Sequence, residues 1–255
     1  MAGQRRAIGS KYDGARASLR ARSWRRRARS LFRSFLRPGE LCFDIGANVG
    51  LFTDVFANLG LKVVAVEPQP VCVAALRDRF RGARREVQIV EAAIGSESGT
   101  AELLVASEHT ISTLSPEWAD IARSKNLFPG ASWQERITVT LTTLDALIEK
   151  FGIPAYCKID VEGYEADALR GLTSPLPALS FEFHPEIVEV TTTCIRHLAA
   201  LGMPYYNFSP GDSMRLVWPG WRDAEEAVSL LGQIVPDVPF FGDVYAFSEP
   251  RPLPN

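Results

Sequence analysis

Residues Leu41 to Thr53 constrain the fold of this chain more than any other stretch. A short apolar run, Leu41 to Phe43, ends in an acid, Asp44. It passes through Ile45 into Gly46-Ala47-Asn48-Val49-Gly50, and an amphipathic segment opens at once with Leu51 and Phe52. A buried strand that turns through glycines straight into a helix is the phosphate- or nucleoside-cradling corner of a doubly wound α/β fold. Gly46 suits the tight turn, and Gly50 lets the helix pack close to the sheet or to a ligand.

The remaining pattern follows that lead. Leu51 to Leu59 reads as a helix stopped by Gly60, and Lys62 to Val66 as a parallel strand covered on both faces, ending in Glu67-Pro68. Pro70 to Arg81 is a second helix and Val87 to Ile94 a third strand. Ala101–Ala106 and Ile137–Leu141 read as short strands flanking an irregular stretch, Ser107 to Arg136. A loop of that length is expected to be a lid or binding loop. Its aromatic residues, Trp118, Phe128 and Trp133, either cover an acceptor or form the loop's own core. A helix over Thr143 to Phe151 precedes a fourth core strand, Ala155 to Asp160, and a further helix ends at Leu172. Ala178 to His184, Pro204 to Phe208 and Val244 to Phe247 supply the fifth to seventh strands, with a helix over Pro185 to Leu201. The expected fold is α/β, a Rossmann-like seven-stranded, mostly parallel sheet.

Charge separates the start of the chain from the rest. Residues 1–39 hold twelve Lys or Arg against Asp13 alone, whereas the remainder carries sixteen against twenty-nine acids. The acidic body argues against a general nucleic-acid binder. Residues 1–14 are expected to be loosely held. From Ala15 to Leu36, the residues Ala17, Ala21, Trp24, Ala28, Leu31 or Phe32 and Phe35 recur at helical spacing among arginines, and Pro38-Gly39 ends the pattern. The expected domains are therefore 1–37, a basic, partly helical extension, and 38–255, the sheet domain. The favoured reading docks the apolar stripe of the helix on the main domain. The alternative lays it, through residues 15–36, on an anionic membrane surface or an acidic partner. Arginines interrupt every apolar run, which speaks against a secretory signal, while the composition is compatible with a mitochondrial-type presequence. No apolar run approaches the ~20 residues that span a bilayer. The four cysteines, Cys42, Cys72, Cys157 and Cys194, are widely spaced and form no metal or disulfide pattern, so a cytoplasmic location is expected.

Glu67 lies 21 residues beyond Gly46, where an acid accepts hydrogen bonds from ribose hydroxyls. A dinucleotide would need a glycine where this chain has Asn48, so the pair Ala47-Asn48 favours a cofactor without a pyrophosphate, S-adenosylmethionine. Two alternatives stay open: a nicotinamide-dependent oxidoreductase, and a non-catalytic nucleotide-binding or scaffolding protein tethered by its basic helix.

The segment Asp44 to Gly50, Glu67-Pro68 and the run Lys158-Ile159-Asp160-Val161-Glu162-Gly163-Tyr164-Glu165 together resemble the FkbM family of S-adenosylmethionine-dependent methyltransferases. Thr143-Leu144-Asp145 and Glu182-Phe183-His184 are similar to the same family's pattern, and the likeness runs from about Gly39 to His184. The resemblance implies a class I methyltransferase-like fold and methyl transfer, most often to a hydroxyl on a sugar, glycan, lipid-linked or polyketide-type acceptor. Carried over by position, it implies that Asp44, Gly46, Ala47, Asn48 and Gly50 cradle the methionine part of the cofactor, with Thr53 near them. Glu67 and Pro68 would then lie at the ribose, Ala92 and Ala93 beside the adenine, and Asp160 before the methyl donor and the acceptor.

Attack of an alcohol on a sulfonium methyl needs alignment, a dry site and a destination for the proton. Asp160 is the first candidate for that destination. His184 is the second, paired at i, i+2 with Glu182 on one face of its strand, although a buried histidine can equally be a packing residue. Asp160, Glu182 and His184 could also bind a hard divalent ion. With no further carboxylate clustered in sequence, no metal is assigned. Glu162 and Glu165 read as helix-start acids and Lys158 as structural.

Overall fold

The structure is a computed structural model and describes residues 21–82, 86–235 and 240–252. Residues 21–33 form helix α1. The chain then runs β1 (Leu41–Ile45), α2 (Leu51–Asn58), β2 (Lys62–Val66), α3 (Pro70–Arg79), β3 (Val87–Val90), β4 (Ala93–Ile94) and β5 (Gly99–Ala106). There follow α4 (Pro116–Ser124), β6 (Trp133–Thr142), α5 (Leu144–Phe151), β7 (Tyr156–Ile159), α6 (Glu165–Arg170), β8 (Ala178–Phe183), α7 (Val188–Leu201), β9 (Tyr205–Pro210), α8 (Ala224–Gly232) and β10 (Gly242–Phe247).

Seven strands form one sheet in the order β3-β2-β1-β7-β8-β10-β9. The first five are mutually parallel, and β10 inserts antiparallel between β8 and β9. Parity explains why the central strands read as unbroken apolar runs. Phe43, Val64 and Cys157 point into one core with α5, α6, α7 and α8, while their neighbours Cys42, Val63 and Tyr156 point into the other with α1 and α2. Trp24, Ala28, Leu31 and Phe32 of α1 are buried in that second core. The apolar stripe is therefore spent on the sheet domain. The part of the basic extension before residue 21, including the stretch expected to be loosely held, lies outside the described residues.

Two expectations need correction. The third strand is broken: β3 stays in the main sheet, while β4 pairs with β6 in a separate three-stranded sheet, β4-β6-β5. The stretch from Ser107 to Arg136 is not irregular either. It holds a 3₁₀ turn at His109–Ile111, the helix α4 and the beginning of a ten-residue β6. Ser115 caps α4 by accepting from the Trp118 amide at 3.1 Å, with Pro116 in the first turn. Ala119, Ala122 and Trp133 close a small core beneath it.

Candidate active site

The order of strands reverses between β1 and β7, and ligands of such sheets bind beyond the carboxyl ends of the strands at that point. Here the two strand ends nearly touch. A Cβ on Gly46 would lie 1.8 Å from the carbonyl oxygen of Asp160, and Gly46 has φ +76°, so this corner admits no side chain. The amides of Gly46 and Ala47 donate to the carbonyl of Val66 at 2.9 and 3.0 Å and fix the loop on β2.

A cavity of 310 Å³ opens above this point. Asp44, Gly46, Ala47, Asn48, Glu67, Pro68, Ala92, Ala93 and Asp160 line it, all named by sequence reasoning. Gly50 and Thr53 do not. Gly50 faces Leu76 and Phe80, and Thr53 is fully buried with its hydroxyl donating to Asp44.

Glu67, only 2% exposed, stands at the end of β2. Its two oxygens accept from the amides of Asn48 (2.9 Å) and Gln69 (2.8 Å), which fixes the carboxylate while leaving further lone pairs. Burial raises its pKa, and those hydrogen bonds oppose the rise. The 3₁₀ turn lies across this end of the cavity. The carbonyl of His109 accepts from the side chains of Asn48 (3.1 Å) and Gln69 (3.0 Å), and Ser112 donates to Gln69 Oε1 at 3.0 Å. Gln69, His109 and Ser112 escaped assignment to the site because their partners lie as many as 61 residues away in sequence.

Below the cavity runs a charged row. Lys158, 3% exposed, donates to Asp160 Oδ2 at 2.6 Å. Burial alone would lower the pKa of this lysine, but Asp160, Asp243 and Asp44 outweigh it and hold the ammonium charged. Burial raises the pKa of Asp44, and of Asp243 to about 7, against the pull of the same lysine. One cation thus serves three carboxylates. Asp160 keeps 32% of its side chain exposed, towards the cavity it lines.

Glu182 and His184 do not line the cavity. His184 is 7% exposed, its ring 4.4 Å from that of Trp118 in α4 and its Nε2 3.1 Å from Glu182 Oε2. Burial pushes the imidazole pKa down, but the carboxylates of Glu182, Glu165 and Asp160 win and raise it. Glu162 does line the cavity, and the structure brings it to Glu182 and His184.

Residues 44–201 match the family described as the methyltransferase FkbM domain. A curated relative, 31-O-demethyl-FK506 methyltransferase FkbM of Streptomyces tacrolimicus, is 32% identical over 159 residues, which cover 54% of this chain and 61% of the relative. The chain thus spans less than two thirds of that protein. Among solved structures, a precorrin-6y C5,15-methyltransferase of Geobacter metallireducens aligns over 87% of both chains with 14% identity and a TM-score of 0.42. A TehB-like SAM-dependent methyltransferase of Corynebacterium glutamicum aligns over 92% of this chain and 99% of its own, with 12% identity and a TM-score of 0.41.

Proposed function

The chain belongs to the FkbM-domain family of S-adenosylmethionine-dependent methyltransferases, and from that premise we propose that it methylates a hydroxyl oxygen of a small-molecule acceptor, of the sugar, glycan, lipid-linked or polyketide type. The observation that carries this reading is Asp160, a cavity-lining carboxylate held at the switch point of the sheet by a buried ammonium. An alcohol must be aligned and must lose its proton as it is alkylated, and amine or carbon acceptors make different demands. The relative from Streptomyces tacrolimicus, named for an O-demethyl compound, agrees with an oxygen acceptor.

The residues present fit the donor. The Glu67 carboxylate, pinned by two amides, keeps lone pairs for ribose hydroxyls, and the cavity that Gly46 and Asp160 both line leaves room for the methionine end. Ala92, Ala93, Ile94 and Leu103 give an apolar wall for adenine. The donor supplies an electrophilic methyl group when bound. This chain's share is to orient the hydroxyl through Asp160, hold charge constant beneath it through Lys158, and keep water out with the turn at His109.

Calorimetry with S-adenosylhomocysteine and NAD separates the donor reading from the nicotinamide alternative, with binding expected for the first only. Glu67→Ala should weaken that binding at least tenfold. Incubation with methyl-labelled donor and extract from the source cells should place the label in an ether stable to alkali. Label in an ester or on nitrogen overturns the hydroxyl assignment.

We further propose that the boundary at residue 37 separates two parts of one folding unit in a cytosolic protein. No helix among the described residues is long and apolar enough to cross a membrane. With Trp24, Leu31 and Phe32 buried, the free side of α1 carries Arg22, Arg26 and Arg33, so contact with an anionic membrane would be electrostatic and reversed by salt. Removing residues 1–37 should abolish folding. A folded fragment that loses only its sedimentation with anionic vesicles would make the extension an accessory.

A further inference from the structure

The turn after β7 holds a residue in an unusual conformation. Glu162 has φ +55°, a region that side chains other than those of Gly, Asn and Asp seldom adopt. The surroundings enforce it. Thr113 donates to the Glu162 carbonyl at 2.6 Å, and Glu165 Oε1 accepts from the amides of Val161 and Gly163, both at 3.2 Å. The strain aims the Glu162 carboxylate at β8, where Glu182 and His184 project from one face at i, i+2.

These three side chains each offer a ligand atom, and the atoms lie within 4.8 Å of one another. Oε2 of Glu162 is buried with no hydrogen-bond partner, while Oε2 of Glu182 and Nε2 of His184 are buried with only each other at 3.1 Å, out of hydrogen-bond alignment. Among the described residues no lysine or arginine pairs with Glu162 or Glu182. The ammonium of Lys158 is committed to Asp160. Buried polar atoms without partners are costly, and two buried carboxylates beside one imidazole leave excess negative charge. A small cation removes both costs at once.

We propose that Glu162, Glu182 and His184 bind a divalent cation at the acceptor end of the cleft. Two carboxylates and an imidazole suit a first-row ion such as Mn²⁺, and three protein ligands leave positions open for water or an acceptor oxygen. Glu162 lines the cavity, so those positions give onto it. Trp118, its ring tilted by 37° against that of His184, covers the opposite side. The sequence groups Asp160 with Glu182 and His184. The structure replaces Asp160, which is drawn to Lys158, by Glu162. Cation binding stands on the cluster alone, while the orienting of an acceptor hydroxyl by the ion rests on the function proposed above.

The full chain, stripped of metal, is titrated with MnCl₂ and the free ion followed by its EPR signal. One Mn²⁺ per chain is expected. Glu162→Gln, Glu182→Gln and His184→Gln should each weaken it at least tenfold, and Glu149→Gln, on the exposed side of α5, should not. Circular dichroism without metal checks that each variant folds. Pulsed EPR of the wild-type complex should show coupling to one imidazole nitrogen, a readout that needs no variant. Absence of binding, absence of that coupling, or equal affinity in all folded variants overturns the site. S-adenosylhomocysteine calorimetry on the same metal-free protein reports the donor site separately, so either reading can fail alone.

Discussion

At Gly46 a backbone turn, a positive φ and the carbonyl of Asp160 converge on one Cα. Gly46→Ala therefore has two costs, a left-handed alanine and the displacement of the β7 terminus, together about 3 kcal/mol. Chemical denaturation should show that loss, and calorimetry should show S-adenosylhomocysteine binding weakened with it. An unchanged midpoint would mean that the two strand ends separate freely. The glycine and its companion Glu67 were legible in the sequence because spacing alone carries them: one must turn, the other must stand one strand along. Glu162 was not legible. Its sequence neighbours make it an ordinary acid at a helix start, and nothing in residue order announces a positive φ on a glutamate. Thr53 was misplaced for a related reason, since its position on the first turn of α2 is shared by residues that face a ligand and residues that hold an acid from behind.

The helix α4 has local signals of its own in the sequence. Ser115-Pro116-Glu117 is an N-cap, a first-turn proline and a first-turn acid, followed by apolar residues at helical spacing. The length of the stretch from Ser107 to Arg136, by contrast, suits a lid. Ser115→Ala should cost about 1 kcal/mol. Hydrogen exchange should rise over residues 116–124, and because Trp118 leans on His184, Mn²⁺ affinity should fall as well. Unaltered exchange there would show that tertiary packing alone holds the helix. The break of the third strand into β3 and β4 was invisible for a different reason. Both pieces are apolar and extended, and only the partner strand β6, far along the chain, decides that the second piece leaves the main sheet.

For the whole molecule, the strand count and the parallel core could be read from periodicity, but the insertion of β10 between β8 and β9 could not, because edge and interior strands have the same pattern. The docking of α1 was an expectation that its packing now explains. Phe32 meets Phe35, Phe52, Phe56 and Tyr156, with ring centroids 4.9 to 6.3 Å apart. Phe32→Ala should cost about 3–5 kcal/mol and lower the melting temperature in a single transition. Two transitions would instead mark α1 as a separately melting piece. That packing also has a consequence for the order of events during synthesis. The ring of Phe35, just beyond α1, sits 5.2 Å from that of Phe247 at the end of β10, and Arg27 reaches the carbonyls of Asp212 and Ser213. A helix that leaves the ribosome before β10 must wait for that strand before its resting place exists. Until then its aromatic stripe and its arginines are free together, and a piece made early latches late.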